Sequence, residues 1–281
     1  RLRRFSKAAG DSITLPQYLT NRFATKNPAL KIICAVIFLI SFTVYVASAF
    51  VAGRTVLCSL VPWFADGHQT LALGLFAAII LCYTFMGGFN AVCWTDFFQG
   101  LLMMCALLAV PIVMLASGRF DSSYSGVFAE GITSFGANPF DVSWQDIVSG
   151  LGWGLGYFGM PHIIVRFMSI EKPSMIKKSA TVAIVWVILS LGAAIAIAIL
   201  GRTYLLTDGQ ALAGLLLPDG RNSIFIAIVQ DVFPGFIAGL MLAAIIAASM
   251  STADSQLLVA SSSFTSDIYK PLIRKGQASD K

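Results

Sequence analysis

Charge is what this chain has least of. Only 12% of its 281 residues are Asp, Glu, Lys or Arg, whereas 57% are hydrophobic and the mean hydropathy is +0.80. Soluble domains carry about 25% charged and about 45–50% apolar residues, so a soluble fold of this length would lack the polar side chains to cover itself. Histidine is scarcer still: His68 and His162 are the only two, too few for a histidine-based metal centre. The five cysteines (Cys34, Cys58, Cys82, Cys93, Cys105) form no CxxC pair and mostly sit inside apolar runs, which reads as buried free thiols rather than a disulfide or metal framework. There is no phosphate-cradling GxxxxGK[ST] loop, no GxSxG elbow, no HExxH pair and no carboxylate pair poised for acid–base work. Those absences exclude the familiar enzyme constellations, and no cofactor is implied. The net charge of +5 does not gather into a basic patch interleaved with aromatics, which argues against a nucleic-acid partner.

What is abundant is the long apolar run, so the solvent for most of the chain is the lipid bilayer. A membrane-crossing helix needs about 20 mostly apolar residues. Six stretches qualify: about 30–52, 70–90, 97–117, 146–168, 179–201 and 233–259. The fold class expected is therefore an all-α polytopic membrane protein. The chain opens on Arg1 with no signal peptide before the first span, and we expect a segment of something longer, one partial transmembrane domain over 1–281.

Orientation follows from Lys and Arg in the short connections. Of the 19 basic residues, 13 lie before span 1, between spans 4 and 5, or after span 6, and Lys31 and Arg166 sit at the ends of spans 1 and 4 on that same side; the exceptions are Arg54, Arg119, Arg202 and Arg221. The side holding those four also holds Asp66, Asp121, Glu130, Asp141, Asp146, Asp208, Asp219 and Asp231. Segments 1–29 and 263–281 are thus expected in the cytoplasm, and the loops 118–145 and 202–232, each with room for a short helix, outside it.

Some features exceed what plain spans require. Span 4 contains Gly152, Gly154, Gly156 and Gly159, then Pro161. Glycine costs about 1 kcal/mol and proline about 3 in a helix interior. Pro161 has no N–H, so the Tyr157 carbonyl should lose its usual partner. A broken helix in a membrane points to a solute site lined by protein or water; close helix packing accounts for the glycines alone. Trp153, Tyr157 and Pro161 stand at i, i+4 and i+8, on one helical face, suited to a small zwitterion with an apolar body. Tyr45, among small residues in span 1, reads either as packing or as a ligand.

Span 6 places Ser251 and Thr252 side by side, with the Ala248 carbonyl one turn earlier. Two hydroxyls and a carbonyl supply part of the oxygen shell of a bare alkali ion. The competing reading is local, since membrane Ser and Thr often bond back to the i−4 carbonyl. Asp96 begins span 3, where a helix dipole favours an acid, and Asp254 lies within apolar sequence, where acids are functional candidates. Together they suggest a negative path for a cation. Arg166 is expected to snorkel to the interface, and His162 to pack between helices or relay a proton.

The strings GWGLGYFGMPHIIVRFMS, GGFNAVCWTDFFQG and AAIIAASMSTADSQLL, in this order and on these spans, resemble the sodium:solute symporter family, and ITLPQYLTNRF extends the likeness to the N-terminal region. The resemblance covers nearly the whole chain and is closest to the family's bacterial proline carriers. It implies an inverted-repeat, five-plus-five (LeuT-like) core, of which the six spans would be helices three to eight, in a bacterial plasma membrane. It also implies sodium-coupled uptake of proline, with substrate contacts at Tyr45, Trp153, Tyr157 and Pro161. Sodium ligands would be Ala248, Ser251 and Thr252, and Asp96 would take part in coupling. Alternatives it leaves open are another organic solute such as pantothenate, or a symporter-like sensor domain of a histidine kinase.

Overall fold

The computed structural model describes residues 2–12, 14–25, 27–120, 142–201, 203–212 and 223–274, and its secondary structure is helical apart from two isolated β-bridges, Phe120–Tyr204 and Leu205–Ala211. Arg202, Arg221, Asp121, Glu130, Asp141 and Asp219, on which part of the orientation argument rests, lie outside the described residues, as does most of the 118–145 loop. Two short helices, α1 (Leu2–Ala8) and α2 (Leu15–Arg22), precede α3 (Ala29–Leu60). A single turn, α4 (Pro62–Ala65), leads into α5 (Gln69–Ser117). Then come α6 (Trp144–Gly156), α7 (Pro161–Ser169), α8 (Ile176–Leu200), α9 (Ile224–Val232) and α10 (Gly235–Ser263), the last continuing as a π-helical segment over Phe264–Ile273.

Four of these are long and apolar enough to cross a membrane: Ala29–Leu60, Gln69–Ser117, Pro173–Leu200 and Gly235–Ile273. All-apolar helices suit lipid because every backbone polar group except those at the ends is satisfied within the helix. On α8 the side chains of Val182, Ile184, Ile188, Ile195 and Ile199 all point outward, as a lipid-facing or partner-facing helix requires. The five cysteines are free, but Cys82 and Cys105 are exposed on the chain's surface and the others half-buried. The expectation of burial fails for those two because they sit on outward faces of α5.

Stretches 70–90 and 97–117 lie on two helical limbs of α5 that meet at a sharp kink at Gly88 (φ 58°, ψ −163°). The left-handed φ there suits only glycine without strain. At Gly88, α5 turns back on itself. Phe76 on its first limb packs on Gly53, while Val110 and Met114 on its second join a core with Val56, one turn further along α3. A straight helix would hold Phe76 and Val110 roughly 50 Å apart at 1.5 Å per residue. The two limbs therefore run side by side.

The α3–α5 contact is close. A Cβ on Gly53 would fall 2.4 Å from the Phe76 ring. Gly53→Val should therefore cost about 1–3 kcal/mol of stability by overpacking. Thermal unfolding of the purified full-length protein checks this, and an unchanged midpoint would contradict the contact.

α10 is the central post, packed against α3 and both limbs of α5. One core gathers Val110, Met114, Ile197, Tyr204, Ile228 and Leu242; another gathers Val46, Ala49, Phe76, Ile80 and Ala253. The N-terminal segment is tied to the far end of the chain. Thr14 caps α2 by accepting from the Gln17 N–H at 3.2 Å and donates to the buried Asp267 carboxylate at 3.0 Å, which also pairs with Lys31 at 3.2 Å.

Candidate functional site

The 146–168 stretch is three pieces. α6 stops at Gly156, a 3-10 turn spans Tyr157–Gly159, and α7 restarts at Pro161 with Met160 in an extended conformation. Proline tolerates the first helical position because its missing N–H would be unpaired there anyway. The Tyr157 carbonyl is not left free, as the sequence suggested: it accepts from the Met160 N–H at 3.3 Å. The tighter 3-10 turn supplies the partner that Pro161 cannot.

Trp153 and Tyr157 flank this interruption, their ring centroids 6.3 Å apart and tilted by 42°. Both are more than half exposed, Trp153 on α6 at 58% and Tyr157 in the 3-10 turn at 51%. Tyr45 lies on α3 and is half-buried. Pro161 is buried at the start of α7 and borders a cavity of about 390 Å³. That cavity reaches from Pro161 past His162 and Arg166 to Arg3 and Asp11 in the N-terminal segment. Arg3 closes this end by donating to the Ile170 carbonyl at 2.7 Å. His162 sets its ring against Phe42, centroids 5.8 Å apart.

On α10 the Thr252 hydroxyl donates to the Ala248 carbonyl at 3.0 Å, and Ser251 next to it is half-buried. The back-bond expected of a membrane threonine is thus formed. It holds the hydroxyl and carbonyl oxygens together on one turn, with the hydroxyl's lone pairs still available. Thr252 itself is exposed.

The two acids meet one turn further along. Asp254 is fully buried and accepts from the Tyr83 hydroxyl at 2.6 Å. Asp96 on the second limb of α5 accepts from Ser255 at 3.1 Å and pairs with Arg166 of α7, which also donates to Ser255 at 2.5 Å. Arg166 does not simply snorkel to an interface: a buried carboxylate 70 residues away holds it. The acids do not form a bare negative path either, because the guanidinium of Arg166 offsets one of their two charges. Tyr83, Ser255 and Arg166 were not singled out as site residues from the sequence. An arginine and an acid both flanked by apolar runs were the available signal for the pair, whereas nothing in the pattern marks Tyr83.

Comparison with known proteins adds the chemical context. The model of the sodium:solute symporter family matches residues 3–281. The sodium/proline symporter of Escherichia coli (strain K12) is 40% identical over 276 residues, covering 98% of this chain and 54% of that protein. The high-affinity proline transporter PutP of Bacillus subtilis (strain 168) is 39% identical over 285 residues, 100% of this chain and 57% of its own. The sodium/proline symporter of Staphylococcus aureus is 42% identical over 275 residues, 98% and 51% respectively. The chain spans about half the length of these curated relatives. No solved structure matches it significantly.

Proposed function

The chain belongs to the sodium:solute symporter family, and we propose that it forms about half of a carrier in which inward sodium movement drives proline uptake. Members of this family are multi-pass membrane transporters, not enzymes, and sodium is cargo rather than cofactor. Within the proposal, the two limbs of α5 are separate spans and α6–α7 is a broken one. The six together are helices three to eight of a five-plus-five inverted-repeat core. The setting is a bacterial inner membrane, with both ends of the chain in the cytoplasm.

The observation that carries the reading is the interruption of the α6–α7 span at Tyr157–Met160, with the Trp153 ring against that of Tyr157. An unwound stretch inside a membrane places backbone groups and aromatic faces where a zwitterion can be held. The pyrrolidine ring would lie against the aromatic faces, and backbone carbonyls or tyrosine hydroxyls would take its ammonium hydrogens. Sodium would be held by the Ala248 carbonyl and the Ser251 and Thr252 hydroxyls, with further oxygens from parts of the protein beyond this chain. Asp96 and Asp254 lie on its route to the cytoplasm, and the cavity from Pro161 to Arg3 is the matching route for solute. Rocking of one repeat against the other exposes the site to each side in turn.

Coupling between the two cargoes is a linkage free energy, so each must tighten the other's binding equally. Equilibrium binding of radiolabelled proline to the full-length protein tests this. Affinity should be at least about 10-fold higher in sodium than in potassium, a coupling of about 1.4 kcal/mol. Equal affinity in both salts would refute coupling. Sodium-dependent binding of radiolabelled pantothenate, with none of proline, would reassign the solute.

A further inference from the structure

Two stretches far apart in the chain bring like charge to one place. α1 packs against α7, and Arg3 of α1 donates to the Ile170 carbonyl, just past the end of α7, at 2.7 Å. Here lies a groove of about 410 Å³, lined by Arg3, Arg4, Lys7 and Ala8 from α1 and by Glu171 and Pro173 from the connection to α8. Three cationic side chains thus share it with one carboxylate. Arg3 is partly occupied, by the Ile170 carbonyl and by Asp11 at 3.3 Å. Arg4 and Lys7 are exposed, and among the described residues neither they nor Glu171 take part in an ion pair.

α1 is a seven-residue helix with no acid in its first turn, too short to be stable by its own hydrogen bonds. Arg3 and Lys7 stand at i and i+4, and Arg4 and Lys7 at i and i+3, spacings at which like charges repel on a helix. Lys172 stands between the two residues of the opposite wall, and Lys177 and Lys178 follow in the first turn of α8. An anion seated in the groove would offset this repulsion. A phosphate group suits it, because its oxygens can accept from a guanidinium and an ammonium at once. The surroundings favour a phosphate carried by a lipid over a free one. Pro173 opens the 3-10 turn that leads directly into α8, where Val182, Ile184 and Ile188 point outward. Phe5, next to Arg4, and Met175, in that turn, are apolar and 50% and 47% exposed. Cationic groups beside exposed apolar side chains match the boundary between headgroups and acyl chains.

We propose that the groove between α1 and the α7–α8 connection binds the phosphodiester headgroup of an anionic phospholipid from the cytoplasmic leaflet. Arg4 and Lys7 hold the phosphate, while Phe5 and Met175 meet the start of the acyl chains. Glu171 opposes a second negative charge and so limits the groove to one headgroup. The choice of leaflet rests on the orientation proposed above; the site itself does not depend on which solute is carried. Anionic lipids concentrate on the cytoplasmic face, and basic pockets beside spanning helices there are their usual seat.

Native mass spectrometry of the purified full-length protein, released from micelles holding phosphatidylglycerol and phosphatidylcholine in equal amounts, tests the proposal. The wild type should retain one phosphatidylglycerol, bound at least about 10-fold more tightly than phosphatidylcholine. Arg4→Gln combined with Lys7→Gln should weaken that binding by at least about 10-fold. Lys177→Gln combined with Lys178→Gln removes the same charge from outside the groove and should weaken it by less than about threefold. All four side chains are exposed, so neither pair of changes disturbs packing. Equal losses in the two double variants would reduce the effect to diffuse attraction and overturn the site, as would equal retention of the two lipids by the wild type. Inorganic phosphate that displaces phosphatidylglycerol at the lipid's own concentration would overturn the lipid as occupant. Proline binding in the same preparations tests the transporter reading separately, so that either can fail without the other.

Discussion

Thr252→Ala in the full-length protein is expected to raise the sodium concentration for half-maximal proline uptake by roughly 10- to 100-fold. Bonds between a neutral oxygen and a charged group are worth about 1.5–3 kcal/mol, and each 1.4 kcal/mol is about tenfold. The Thr252 hydroxyl already lies 3.0 Å from the Ala248 carbonyl, so one substitution would remove one proposed ligand and the bond that holds it beside another. Thr252→Ser keeps the oxygen and should keep most of the affinity. The local alternative predicts otherwise. If the hydroxyl serves only its own helix, Thr252→Ala leaves the sodium dependence where it was. Trp153→Ala should separate the two cargoes, raising the KM for proline by at least about 10-fold at saturating sodium through loss of an aromatic face. The same KM in both proteins would remove Trp153 from the solute site.

The second large effect concerns Arg166. Removing it strands the carboxylate of Asp96, whose side chain is 8% exposed, beside the fully buried Asp254. Breaking a buried ion pair by deleting one partner costs about 3–5 kcal/mol. The Arg166 side chain is 46% exposed, so solvent screening places the expected loss at about 2–3 kcal/mol. Thermal unfolding of Arg166→Ala against wild type measures it. Combining Arg166→Ala with Asp96→Asn should recover at least half of the lost stability, because no uncompensated charge remains. Additive losses in the double variant would mean that the two side chains act independently, contrary to the geometry.

How far the sequence reached depends on the range of each interaction. The long apolar helices α3, α8 and α10 were legible because lipid forces each span to satisfy its own backbone; apolar length alone signals them. The interruption before Pro161 was legible for a local reason as well, since proline removes a donor at a known position. Its consequence was misjudged, because a 3-10 turn returned the Tyr157 carbonyl a partner in the Met160 N–H. The α5 reversal was visible as a break between the stretches 70–90 and 97–117. That the turn is made at Gly88 itself, by a single glycine with positive φ, was not.

Long-range partners were out of reach. Arg166 looked like an interface residue because its chain neighbours are apolar; Asp96 lies 70 residues away and the two meet only after α5 and α7 pack around α10. Tyr83 is separated from Asp254 by 171 positions, with no periodic pattern to link them. Thr252 shows the opposite case. Its bond to Ala248 is a four-residue rule that any sequence reader can apply, and for that reason it does not by itself distinguish a sodium ligand from a self-satisfied hydroxyl.

The most direct measurement is uptake of radiolabelled proline by the full-length protein in proteoliposomes, with and without an inward sodium gradient. Accumulation above the external concentration while the gradient lasts, collapsing when sodium is equal on both sides, is the predicted result. Uptake that merely equilibrates, at the same rate with potassium in place of sodium, would contradict sodium-driven proline symport.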